Sequence, residues 1–143
     1  MSDSSFATIS TGGLATALNK AGTITVTATA GGVTSPTVTL TITPGPISKL
    51  VVVGSQTVIS GSNTSAFTAS GADQFGNAVA LSQAVGWSAG ANGDVGTGTI
   101  DQTTGVFLGQ KDGVVTVTAT SGALSQTATI TVTGSSALNT LSI

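Results

Sequence analysis

Thr99–Thr133, TIDQTTGVFLGQKDGVVTVTATSGALSQTATITVT, is the stretch whose reading decides the fold. It closes in two runs of strict alternation. In the first, Val115, Val117 and Ala119 alternate with Thr116, Thr118 and Thr120; in the second, Ala128, Ile130 and Val132 alternate with Thr129, Thr131 and Thr133. Successive side chains of a strand point to opposite faces, so each run is apolar on one side and hydroxylated on the other. A strand of this kind has to bury its apolar side against a second layer. Val115, Val117, Ile130 and Val132 are therefore read as core.

Working outward, the same pattern recurs near the N-terminus. Ile9, Gly13, Leu14, Lys20, Gly22, Ile24, Val26 and Ala28 match Ile100, Gly105, Val106, Lys111, Gly113, Val115, Val117 and Ala119 at an offset of 91 or 92, with one slipped position in a loop. Val38, Leu40 and Ile42 then match Ala128, Ile130 and Val132. Residues 1–43 thus read as the back half of a repeat, 44–46 as a stiff Pro-Gly-Pro linker, and 47–133 as one complete module. Residues 134–143 read as a further linker and the opening strand of another repeat, Leu141 and Ile143 standing where Leu50 and Val52 stand. Within the complete module Leu50, Val52, Val58, Phe67 and Ala69 continue the buried side, Val85 and Trp87 read as a central strand, and Asn92-Gly93 and Asp112-Gly113 as a turn and a hairpin. Ala72–Val79 (ADQFGNAV) is a turn-rich corner in which Gly76 and Asn77 are able to take positive φ. No segment shows sustained helical periodicity, and Gly12–Lys20 reads as a strand with a loop. Short strands with frequent turns indicate an all-β, antiparallel β-sandwich.

Composition narrows the function. Only 6% of the 143 residues are charged, against about 25% in ordinary soluble domains, while 27 Thr and 18 Ser supply the polar surface. There is no Arg, Glu, His, Tyr or Cys. Three lysines give no electrostatic footprint for nucleic acid, and no apolar run approaches the ~20 residues of a membrane-spanning helix. Residues 1–20 lack the charged start and apolar core of a signal peptide, as a mature or excised piece would. Acid–base and nucleophilic chemistry draw on residue types that are largely missing, so no catalytic residue, cofactor or metal is assigned. Asp73, Asp94 and Asp101 are scattered, whereas Ca²⁺ asks for six to eight oxygens; they read as turn caps. Lys49 and Lys111 lack a neighbouring Glu for an isopeptide bond. Lys20 and Lys111, each two residues before a glycine, read as charges that discourage edge pairing.

The order and spacing of these features resemble the bacterial immunoglobulin-like (Big) domain repeats of invasin- and intimin-like adhesins and surface-layer proteins, which also occur in multidomain glycoside hydrolases and phage virion proteins. Val85–Ser88 (VGWS) is similar to the family's Trp strand, Gly105–Gly109 with Gly113–Ser121 to its glycine turn and penultimate strand, Ala128–Thr133 to its closing strand, and Ala72–Val79 to the Gly-Asn corner of the invasin-type branch. The resemblance implies a seven-stranded Greek-key immunoglobulin-like sandwich, an extracellular or cell-surface setting, and no catalytic residues. Two functions follow as expectations. One is a non-catalytic spacer, stalk or filament repeat whose partners are neighbouring repeats or other copies. The other is a module that binds carbohydrate or a host surface, with Phe75 and Asn77 as surface contacts and Trp87 in the core. The half-repeat raises a further expectation. Its apolar residues need a cover worth on the order of 10 kcal/mol, from the complete module, a neighbouring molecule or a strand of another copy; for the last, Ala137–Ile143, with Leu138, Leu141 and Ile143, is the candidate assembly strand.

Overall fold

The computed structural model describes residues 1–61 and 63–134. Among them all regular structure is strand. In chain order the strands are β1 (Ala7–Ile9), β2 (Ala15–Ala17), β3 (Gly22–Val26), β4 (Thr29–Ala30), β5 (Val33–Thr34), β6 (Val38–Ile42), β7 (Lys49–Val53) and β8 (Thr57–Ile59). There follow β9 (Thr64–Ala66), β10 (Thr68–Ala72), β11 (Ala78–Val79), β12 (Gly86–Ala89), β13 (Thr97–Ile100), β14 (Val106–Lys111), β15 (Gly113–Ser121) and β16 (Leu124–Thr133). Two compact units emerge: Met1–Ile47 with Ala72–Val79, and Ser48–Gly71 with Ala80 onward. The corner that the repeat pattern gives to the second module therefore sits in the first unit.

The larger unit is an immunoglobulin-like antiparallel β-sandwich. One layer has the order β12-β15-β16-β8, and the other contains β13-β14-β9 and the pair β10-β7. The alternating strands β15 and β16 lie side by side, Val117 opposite Ala128 and Val115 opposite Ile130, so their apolar residues share one face. Across from them stand Leu50, Phe67 and Phe107, and the interior is closed by Val58 and Trp87. Phe107, Val115, Val117 and Ile130 are fully buried. The rings of Phe67 and Trp87 lie 6.2 Å apart, tilted by 46°, within the range of favourable aromatic pairs. Val85 packs at the margin of this core. Gly105 takes φ +71°, and a Cβ there would stand 2.6 Å from the Phe67 carbonyl oxygen and 2.9 Å from the Trp87 ring. Only glycine fits a left-handed backbone pressed this closely on the core.

Two expectations from the sequence are corrected. The Trp strand β12 ends its layer rather than occupying its centre; the long strands β15 and β16 take the middle because they offer the most apolar face and pairing length. Asp112-Gly113 is not a hairpin. It carries the chain from β14 in one layer to β15 in the other, since Phe107 and Val115 face the same interior from opposite sides. The hairpin falls at Gly122-Ala123, with Ser121 opposite Leu124 and Gly122 at φ +58°, glycine leading as in a type II′ loop.

In the smaller unit β1 pairs with β2 and β3 with β6. Ile24 and Ala7 are buried between these ladders. The insertion between β3 and β6 folds as a miniature hairpin, β4 on β5, turned by Gly31 and Gly32, both at positive φ. Gly12–Lys20 contains the short strand β2 and loops.

Candidate functional site

The sequence repeat is also a repeat of hydrogen bonds. Asp101 N–H donates to the Val106 carbonyl and Gly105 N–H to the Asp101 carbonyl. In the smaller unit Ser10 N–H donates to the Leu14 carbonyl and Gly13 N–H to the Ser10 carbonyl. The two turns are equivalent, the first one residue shorter, which places the slip in the offset between Ser10 and Gly13. The polar side chain at the head of each turn has the same task. Ser10 Oγ accepts from Leu14 N–H at 3.0 Å, while Asp101 Oδ1 accepts from the N–H groups of Thr103 and Thr104 and the Thr103 hydroxyl at 2.8–2.9 Å. These donors, Thr104 N–H foremost, hold the Asp101 carboxyl well below the usual carboxylate range.

Asp94 is likewise occupied. It accepts from the N–H groups of Thr116 and Ala91 and from the Thr116 hydroxyl, which lowers its pKa. Among the described residues no group of acidic side chains is placed to hold a metal ion.

The corner Ala72–Val79 is the most densely bonded polar feature of the smaller unit. Asp73 is buried. Its Oδ1 accepts from Phe75 N–H and Asn77 N–H, each at 2.9 Å, and its Oδ2 from Gly45 N–H at 2.9 Å and Asn77 Nδ2 at 2.8 Å. The Asn77 amide leads these donors in lowering the Asp73 pKa to about 2. Asn77 also reaches the segment before β3: its Nδ2 donates to the Asn19 carbonyl at 2.8 Å and its Oδ1 accepts from Ala21 N–H at 2.9 Å. Gly76 takes φ +89°, whereas Asn77 keeps a negative φ; its side chain rather than its backbone is what the corner uses. Phe75 lies at the tip, 52% exposed, and Trp87 is buried in the other unit. Lys20 Nζ stands 4.4 Å over the Phe6 ring, a cation–π contact. The sequence pointed to this corner through its turn residues. It gave no signal that Asn77 would bond to Asn19 and Ala21, because those partners are backbone groups.

A second feature of the smaller unit is an apolar cleft of about 580 Å³ between its ladders, lined by Ile9, Ala15, Val26, Val38 and Leu40 among others. Leu14 is 71% exposed and Val38 64%. Residues Leu138, Leu141 and Ile143 lie outside the described residues.

No protein-family model matches the chain, and no curated protein matches it. Similar solved structures include two of one surface-layer protein. The crystal structure of domains 4 and 5 of the S-layer protein SbsC is 23% identical over 88% of this chain, with a TM-score of 0.42. The structure of domains 1–6 of the surface layer protein SbsC is 21% identical over 92% of this chain, with a TM-score of 0.39. The chain spans 64% of the first and 19% of the second. Among the described residues no helix is long and apolar enough to cross a membrane.

Proposed function

We propose that this chain is a non-catalytic structural repeat of an extracellular or cell-surface bacterial protein, a spacer, stalk or filament module that joins neighbouring repeats or copies head to tail, in part by strand complementation. The observation that carries this reading is the corner. Asp73 and Asn77 come from the 47–133 sequence repeat, yet they bond to Asn19, Ala21 and Gly45, which belong to the preceding repeat and its linker. A device that ties one repeat to the one before it is what a tandem array needs and a solitary binding module does not. The carboxylates of Asp73, Asp94 and Asp101 are committed to backbone donors, which leaves them no free role in acid–base chemistry.

Phe75 is the feature that favours the second reading, a carbohydrate- or host-surface-binding module, since an exposed aromatic ring can stack on a sugar. A glycan array separates the two. The array reading expects no saturable binding. Saturable binding to one glycan class that is lost in Phe75→Ala would overturn it in favour of the binding module.

A further inference from the structure

The turn at Asn92-Gly93 lies between β12 and β13 in the larger unit. Asp94 N–H donates to the Ala91 carbonyl at 3.1 Å. Asn92 keeps a negative φ and Gly93 takes φ +100°, the pattern of a type II turn. Asp94 fastens this turn to the core strand β15. Its Oδ2 accepts from Ala91 N–H and Thr116 N–H, each at 2.8 Å, and its Oδ1 from the Thr116 hydroxyl at 2.9 Å. Gly90 N–H adds a bond to the Thr116 carbonyl at 2.9 Å. Thr116 stands between Val115 and Val117, both fully buried.

The two residues at the tip stand outside this network. Asn92 and Gly93 are both exposed. Among the hydrogen bonds of the described residues, none uses the Asn92 side-chain amide or the Gly93 N–H. A Cβ on Gly93 would meet nothing within 4 Å. The Gly93 nitrogen is therefore a nucleophile with no competing hydrogen bond and no side chain in its way, and the electrophile, the Asn92 amide carbon, belongs to the residue before it. The other described asparagines are worse placed. The Asn77 amide is held by Asp73, by the Asn19 carbonyl and by Ala21 N–H. Asn19 and Asn63 precede Lys20 and Thr64, whose side chains crowd the attacking nitrogen.

We propose that Asn92-Gly93 is a self-modification site: the folded chain converts Asn92 to isoaspartate without an enzyme, and the product loosens the Asp94 tie to β15. The Gly93 nitrogen attacks Asn92 Cγ and closes a succinimide ring. Asn92 Nδ2 leaves as ammonia, taking up the proton that the Gly93 nitrogen gives up. Water then opens the ring. Cleavage of the bond between Cγ and nitrogen gives aspartate; cleavage of the bond between the main-chain carbonyl carbon and nitrogen gives isoaspartate, in which the backbone runs through Cβ and Cγ. No oxidant, reductant or second substrate enters. The isoaspartate backbone is longer by a methylene inside a turn whose closure by Ala91 and Asp94 depends on its length. It also places a new carboxylate close to Asp94, a like charge that opposes the ionised form of both. The proposal is independent of the array reading and concerns how a module of this kind ages.

The test is to age the full chain, folded, in mildly alkaline buffer made with heavy-oxygen water, beside a sample held in urea. Fragment-ion mass spectrometry then locates the converted residue. The expected result is amide loss at Asn92 in the folded sample, with heavy oxygen incorporated there, ammonia released in equal amount and isoaspartate as the main product. Conversion confined to the urea sample would show that the folded turn shields the site and would overturn the proposal. Equal conversion at Asn19 or Asn63 would overturn the assignment to this turn. Hydrogen exchange reads the second half of the proposal. Exchange at Thr116 N–H in the aged protein is expected to rise toward its rate in fresh Asp94→Ala; exchange as slow as in the fresh protein would overturn the loosening. Asn92→Gln carries its amide one carbon further from the Gly93 nitrogen. It is expected to keep both the amide and the slow exchange at Thr116 through the same incubation. Loss of that protection in Asn92→Gln would show that the loosening has another cause.

Discussion

The two units set one sequence pattern in two surroundings. Ile24, Val26, Leu40 and Ile42 correspond to Val115, Val117, Ile130 and Val132, and the strands that carry them pair in the same register. In the larger unit all four positions are buried. In the smaller unit Ile24 is buried while Val26, Leu40 and Ile42 are half-buried. The difference is not in the strands themselves. Leu50, Val58, Phe67 and Trp87 all come from residues 47–89, and that segment has no counterpart within residues 1–43. Alternation makes a face; a separate stretch of chain covers it.

The sharpest test of this contrast is a matched pair of truncations. Ile130→Ala is expected to cost about 2–5 kcal/mol, the range for emptying a packed aliphatic site. Leu40→Ala, at the matching but half-covered position, is expected to cost less than half as much. Denaturant unfolding with separate probes in each unit checks this, and equal losses would break the comparison.

A second pair uses the matching glycines Gly13 and Gly105. Both take positive φ, but a Cβ on Gly13 meets nothing within 4 Å, whereas one on Gly105 meets Phe67 and Trp87. Gly13→Ala is expected to cost only the left-handed backbone penalty, about 1–2 kcal/mol. Gly105→Ala adds overpacking of about 1–3 kcal/mol. Thermal melts of the two variants read the difference, and equal shifts would argue that the Trp87 side is looser than its packing implies.

A third test turns on acid. The Asp73 carboxyl sits at about 2 when folded, against an ordinary value of 3.8. A carboxylate whose pKa is lowered by folding stabilises the fold fully above its unfolded value and loses that contribution as the pH falls toward the folded one. Stability from this corner should thus be flat above about pH 4 and decline between about 4 and 2. Asn77→Ala removes the leading donor. It is expected to raise the Asp73 titration midpoint in a carboxyl NMR titration and to speed hydrogen exchange at Ala21 N–H. An unchanged midpoint would remove Asn77 from the account. The smallest effect is expected of Leu14→Ser, on the open side of the smaller unit: within about 0.5 kcal/mol, as for exposed positions generally.

Much of this was legible in the chain itself. A period of two in Val115–Thr120 and Ala128–Thr133 specifies which side chains share a face, because side-chain direction is local geometry. The same period, met again in Ile24–Ala28 and Val38–Ile42, marks the repeat, and the Thr-rich, charge-poor composition narrows the chemistry. The neighbour of each strand was not legible. A strand's hydrogen-bonding edge is backbone, alike for every residue but proline, so sequence does not say that β14 and β15 part into different layers at Asp112-Gly113 or that β12 ends its sheet. For the same reason Asn77 read as a surface residue, although its amide bonds to the backbone of Asn19 and Ala21. Which residues must be buried was decided by the order of side chains along the chain; which strands bury them was decided by packing in three dimensions, where covering apolar area settles a choice that the backbone leaves open.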